Sequence, residues 1–176
     1  MQRVVITGAP GTGKTTLLNL LQKEGYAIHT EMARALIKEQ QDLGSELLPW
    51  KNHRDFGKEL FRRQVQQYLQ AQPGLVNFYD RGIPDNLGYL RRDGLQNQTL
   101  EKEAKEYPYF SKVFFTPPWK DIYAQDNERW EDFELMLQIH EALQDIYHFY
   151  NYQLIEVPRA SPEERLDFVL HHTASL

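Results

Sequence analysis

Two hydrophobic periods take turns along the chain. Arg3 to Thr7 is a short β-branched run that stops at Gly8, and from Lys14 onward Leu17, Leu18, Leu20 and Leu21 recur at helical spacing before Gly25. Tyr26 to His29 reads as a second strand, followed by a helix face of Met32, Ala33, Leu36 and Ile37 that runs to about Asp42. After a loop with Gly44, Ser45 and Pro49, the positions Phe56, Leu60, Phe61, Val65, Tyr68 and Leu69 predict a long amphipathic helix from about Asn52 to Gln72. Asn52 is its N-cap and Asp55 stands three residues on. Leu75 to Tyr79 is a third strand running into Asp80. Phe110 to Phe115 is a fourth, cut by Pro117 and Pro118, and Gln153 to Val157 a fifth, cut by Pro158. A helix carrying Phe133, Leu137, Leu143, Ile146, Tyr147 and Tyr150 lies between the last two strands. Ser161, Pro162, Glu163 and Glu164 open a final capped helix.

Short strands alternating with helices imply parallel pairing through right-handed crossovers, hence an α/β fold, a three-layer α/β/α sandwich on a five-stranded parallel sheet. The length, 176 residues, suits one domain spanning 1–176. Composition narrows the classes. With 41% hydrophobic and 26% charged residues the chain is globular, and no apolar run approaches the ~20 residues of a spanning helix, so no membrane partner is expected. The net charge of −5 and the lack of a long basic run argue against nucleic acid as a partner. Zero cysteines exclude disulfides and thiolate chemistry. With a strand beginning almost at Met1, where a leader would sit, the expected location is cytoplasmic.

In such sheets ligands bind beyond the carboxyl ends of the strands, so the chemistry is sought just after each one. Gly8-Ala9-Pro10-Gly11-Thr12-Gly13-Lys14-Thr15 satisfies the G-x-x-x-x-G-K-[ST] pattern between a strand and a helix. Its glycines let consecutive N–H groups converge on phosphate oxygens, and the helix start adds its positive end. The expected nucleotide-binding residues are Gly8, Pro10, Gly11, Thr12, Gly13, Lys14, Thr15 and Thr16. Lys14, facing solvent in the empty loop, would bridge the β- and γ-phosphates of ATP, and the Thr15 hydroxyl would ligate Mg²⁺. Asp80 ends the third strand where an acid holds Mg²⁺, or else caps the helix that starts at Ile83. Arg81 follows where motors that hydrolyse ATP need a second acid, which favours transfer to an acceptor over transfer to water.

Glu31 and Arg34 follow the second strand at i, i+3 spacing. They would take a proton from an acceptor hydroxyl and clamp an anionic substrate, or form an ordinary intrahelical ion pair. The charged stretch Asp121 to Asp132 has the position of a lid, near 119–132. Arg129 there would neutralise charge on the transferring phosphoryl group, or pair with Asp126 or Asp132 at the surface. Trp50, Tyr89, Tyr107 to Phe110 and Trp119 would stack on a base or fill core. The six histidines show no zinc-like spacing.

These motifs, together with His29 to Arg34, Tyr79 to Asp85, Lys105 to Pro108, the pair Asp126 and Arg129, and Tyr152 to Pro158, resemble the small AAA-labelled P-loop ATPases. Those are in turn similar to the ribosylnicotinamide-kinase domain of bacterial NAD-regulator proteins. The resemblance implies the P-loop nucleoside- and nucleotide-kinase fold, with strand order 2-3-1-4-5 and a short lid. It also implies that Glu31 and Arg34 are the family's acid and arginine after strand two, and Asp80 and Arg81 its Asp-Arg pair after strand three.

The expected activity is an ATP- and Mg²⁺-dependent kinase acting on a small hydroxyl-bearing metabolite, such as a nucleoside. Lys14, Arg81 and Arg129 would surround the γ-phosphoryl group, with Glu31 or Asp80 near the acceptor and Arg34 and Arg81 holding it. The alternatives are a nucleotide-dependent switch and a plain ATPase. No Asn-Lys-x-Asp segment is present to read guanine, and no protein partner is indicated.

Overall fold

The computed structural model describes residues 2–119 and 133–174. The elements are β1 (Gln2–Gly8), α1 (Lys14–Lys23), β2 (Ala27–His29), α2 (Met32–Asp42), α3 (His53–Leu69), β3 (Val76–Asp80), α4 (Ile83–Arg92), α5 (Gln98–Glu103), β4 (Lys112–Thr116), α6 (Phe133–Phe149), β5 (Gln153–Glu156) and α7 (Pro162–Thr173). The strands form one parallel sheet in the order β2-β3-β1-β4-β5, the order the family resemblance implies. Arg129 and the expected lid, Trp119 apart, lie outside the described residues.

Alternation within each strand divides the core between the two faces of the sheet. Val4, Ile6, Phe78 and Phe114 pack with Leu17, Leu18 and Leu21 of α1 and Val169 of α7. Val5, Tyr79 and Val113 face the other way, onto Phe61, Ile83, Leu87, Ile146 and Tyr147 of α3, α4 and α6. A one-residue slip of β1 would exchange these sets, so burial on both faces fixes the register. Leu36 of α2 completes a smaller cluster with Phe56 and Leu60 of α3.

One helix end and one short helix differ from the sequence reading for identifiable reasons. The long helix ends at Leu69, short of Gln72. The cause lies in β3, where the fully buried Asn77 accepts from Gln72 N–H and donates to the Gln72 and Leu75 carbonyls, folding Gln72–Leu75 into a turn. Helix α5 has no apolar face to read, since none of its residues is buried, and Asn97 caps it. The expected caps at Asn52 and Ser161 are both present, the second as a full capping box with Glu164.

Candidate active site

The site is built where β1 turns into α1. Gly8 has φ 139° and lies so close to β4 that a Cβ would overlap the Thr116 side chain and carbonyl. Gly13, at φ 81°, is the N-cap of α1. Between them the loop is pinned from within. Thr12 Oγ1 donates to Ala9 O at 2.9 Å and lies 2.6 Å from Thr116 Oγ1, which donates to Thr7 O. The Thr12 side chain therefore serves loop shape, being 1% exposed, while Thr15 and Thr16 are open to the cleft.

Lys14 departs from the expectation of a solvent-facing side chain. It is buried, and its Nζ donates to Gly8 O at 3.0 Å and Ala9 O at 2.8 Å. The ammonium thus satisfies carbonyls of its own loop. Burial first, and Arg81 second, lower its pKa to about 8, against the opposing pull of Asp80 and Glu31. Nucleotide affinity should therefore fall as pH rises past about 8, by up to about tenfold per unit while the free lysine is neutral and the bound one charged. Proton uptake on ATP binding at pH 9, measured by calorimetry in buffers of different ionisation enthalpy, checks this; binding that is flat from pH 7 to 9 contradicts it.

Sheet register brings the acids to this loop. Asp80 pairs with Ile6, and Arg81 N–H continues the ladder to Ile6 O at 3.1 Å. His29 pairs with Tyr79, so Glu31 and Arg81 each lie two residues beyond a matched pair and meet: Arg81 Nε donates to Glu31 Oε1 at 3.1 Å. Arg34 is a looser partner, 3.8 Å from Glu31 and 69% exposed. Glu31 is thus more than half of a surface helix pair. Burial works to raise its pKa, but Arg81, Lys14 and Arg34 outweigh it and hold the carboxylate ionised.

Asp80 does not cap α4. It is buried, its Oδ1 has no hydrogen-bond partner among the described residues, and burial raises its pKa despite Lys14 and Arg81. The capping is done by Asp85, whose Oδ2 accepts from Gly82 N–H at 2.8 Å and Tyr147 OH at 2.5 Å. Its Oδ1 accepts from the Thr7 hydroxyl and from Arg81 Nη1 at 3.3 Å. Asp85 is 1% exposed and joins β1, β3, α4 and α6 at one point. Arg81, at φ 70°, is held in the left-handed region by these partners at both ends. Its charge is therefore shared between Glu31 and Asp85 rather than left free.

A cleft of about 990 Å³ has the phosphate loop and the start of α7 as one wall and α2, α3 and α4 as the other. It brings together Pro10, Gly11, Thr12, Gly13, Lys14, Thr15, Thr16, Glu31, Arg34 and Arg81. Gly8 and Asp80 are not among the lining residues and lie deeper, at the strand ends. Sequence reasoning missed several of the lining side chains. Gln64 of α3 donates from Nε2 to Gly82 O, and its buried Oε1 has no partner among the described residues. His53 Nδ1 lies 2.8 Å from Asp93 Oδ2, and Arg92 Nε donates to Asp93 Oδ1 at 2.7 Å. Their signal in sequence is nil, since each sits on a helix face that periodicity marks only as polar. Trp50 and Tyr89, expected as stacking candidates or core, do line the cleft, as does Trp119.

Comparison with known proteins agrees with this architecture. A family model described as AAA domain matches residues 3–165. No curated protein matches the chain in sequence. Among solved structures it is similar to deoxyadenosine kinase from M. mycoides. The structure of that kinase with products dCMP and a flexible dCDP bound gives a TM-score of 0.69 at 15% identity, covering 99% of this chain and 100% of that one. Its complexes with dATP and dCTP give 0.68 at 15% and 14% identity, with the same coverage. At this identity the likeness establishes the fold, the five-stranded parallel P-loop kinase architecture. With a family match spanning nearly all of its length, the chain belongs to the AAA domain family of P-loop proteins.

Proposed function

We propose that the protein is an ATP- and Mg²⁺-dependent kinase that phosphorylates a neutral, hydroxyl-bearing small molecule of nucleoside type. The observation that carries this reading is the two-walled cleft, in which a phosphate-binding loop faces a separate, partly apolar wall with the Glu31 carboxylate at their junction. A nucleotide alone would leave the second wall idle. The similar deoxyadenosine kinase structures, whose bound molecules are deoxynucleotides, support the nucleoside assignment. The substrate of the ribosylnicotinamide kinases is not carried over, because strand three ends here in Asp80-Arg81-Gly82, where those kinases have a different acidic turn.

The second wall favours an uncharged acceptor. Arg81 is paired with Glu31 and Asp85, and His53 and Arg92 share Asp93. A phosphorylated acceptor would have to compete with those carboxylates. Met32, Ile37, Phe56, Leu60 and Trp50 offer apolar surface to a ring. The unpartnered Gln64 Oε1 would accept an N–H or O–H from it.

The loop N–H groups and Lys14 would bind the triphosphate, with Lys14 exchanging its carbonyl partners for phosphate oxygens. The orphaned, buried Asp80 oxygen and the exposed Thr15 hydroxyl fit a hard oxygen-seeking cation. Mg²⁺ bound there would neutralise charge on the phosphates. Glu31, kept ionised by its cationic neighbours, would accept the proton of the acceptor hydroxyl. Arg129 would complete the site from a lid and lower turnover, more than ATP affinity, when replaced by alanine.

Asp80→Asn should raise the Mg²⁺ concentration for half-maximal turnover by about tenfold or more. It should also raise the melting temperature of the metal-free protein, because it removes a buried carboxylate whose burial outweighs the attraction of Lys14 and Arg81 and whose Oδ1 has no hydrogen-bond partner among the described residues. Equal Mg²⁺ titrations for variant and wild type would remove Asp80 from the metal site. The function itself is tested by ADP formation with and without a panel of nucleosides, ribosylnicotinamide and simple sugars. Stimulation by one nucleoside, lost in Glu31→Gln with ATP binding intact, is expected. A slow ATPase indifferent to every acceptor would indicate a switch or hydrolase instead.

A further inference from the structure

The cleft contains a second deeply buried arginine, and its surroundings differ from those of Arg81. Arg165, on the first turn and a half of α7, is 5% exposed, as buried as Arg81. Arg81 has two carboxylates; Arg165 has no ion pair among the described residues. Among the described residues the side chain makes one hydrogen bond, from Nη2 to Thr12 O at 3.0 Å in the middle of the phosphate loop, and its Nε has no partner. The residue lines the cleft beside Thr12 to Thr16 and next to Ala160, Ser161 and Pro162. A buried guanidinium without a counter-charge is costly to folding, and burial accordingly lowers its pKa with no carboxylate opposing. Such a cation persists in a fold when its counter-charge arrives with a ligand.

We propose that Arg165 is a positioning residue of the nucleotide site, tying α7 to the phosphate loop through Thr12 and supplying a fixed buried charge that the polyphosphate of the bound nucleotide compensates. This assignment rests on the reading of the loop as an ATP site. Two consequences separate it from a packing role. The charge is a liability without nucleotide, so a neutral side chain of similar length should not weaken the empty protein. The charge matters only for a ligand with phosphates, so adenosine should be indifferent to it.

The experiment is titration of ATP, ADP and adenosine into wild type, Arg165→Met, Arg165→Lys and Lys14→Ala, alongside thermal unfolding of each protein without nucleotide. For Arg165→Met we expect ATP and ADP to bind about tenfold or more weakly, adenosine to bind as in wild type, and unfolding at the wild-type temperature or above it. Arg165→Lys should recover part of the ATP affinity, since it restores the charge without the planar fork. Wild-type ATP affinity in Arg165→Met overturns the assignment, as does unfolding well below wild type, which would make the residue structural. If Lys14→Ala loses ATP while Arg165→Met keeps it, only the Arg165 assignment falls. If wild type itself fails to bind ATP, the nucleotide-site reading falls and this one with it.

Discussion

Lys14→Ala is expected to weaken ATP binding by about 100- to 1,000-fold, the cost of removing one partner from a buried, charge-assisted contact. The same substitution should leave the fold nearly as stable. It exposes the Gly8 and Ala9 carbonyls to the loss of a donor, but it also removes a buried ammonium whose charge burial disfavours. Those two effects oppose each other, and the net change should stay within about 1–2 kcal/mol. Calorimetric ATP titration and a melting curve of the free protein separate the two readouts. A folded Lys14→Ala protein with wild-type affinity would refute the nucleotide site, and a collapsed one would show the lysine to be a structural pin.

The largest effect on stability is expected at Asp85. Alanine there strips acceptors from Thr7, the Gly82 N–H and Tyr147, and leaves Arg81 with Glu31 as its remaining carboxylate. Breaking a buried charge network from one side costs about 3–5 kcal/mol, a large part of a typical domain's total stability. For a chain of this size that lowers the melting temperature by about 6–20 °C. Asp85→Asn keeps the shape and one acceptor oxygen and should lose less. Denaturant unfolding of both variants checks the order. A melting temperature for Asp85→Ala within a degree or two of wild type would mean that the network contributes nothing net.

The contrast between Asp80 and Asp85 shows where the sequence is legible. The five strands, the caps at Asn52 and Ser161, and the phosphate loop follow from local signals: alternation, a capping residue three positions before its acid, a glycine pattern between strand and helix; the order of the strands came with the family resemblance. Asp80 is readable too, because it ends an apolar strand. Asp85 is not, since its partners come from Thr7, Arg81 and Tyr147, and no spacing along the chain announces that they converge. The same holds for Gln64 and Arg165. One reads as a polar position on an amphipathic helix and the other as an ordinary basic residue after a capping box, until the packing shows each to be buried with an unpaired atom. Lys14 was placed in the loop correctly by its motif. Its inward turn onto the loop carbonyls is not legible, because the pattern of letters specifies the loop and not the partners of its lysine.

The central place of β1 sets the order in which the cleft is assembled during synthesis. Ile6 leaves the ribosome long before its neighbours in the sheet, Asp80 and Phe114. Val4, Val5 and Ile6 therefore remain as an unpaired apolar edge until much of the chain has followed, the interval in which nascent chains associate wrongly and in which chaperones bind them. The phosphate loop inherits the delay, because Gly8 is seated against Thr116 and the Thr12 carbonyl is tied to α7. A nascent chain that has not yet made β4 has the complete G-x-x-x-x-G-K-[ST] pattern and nothing to seat its loop against.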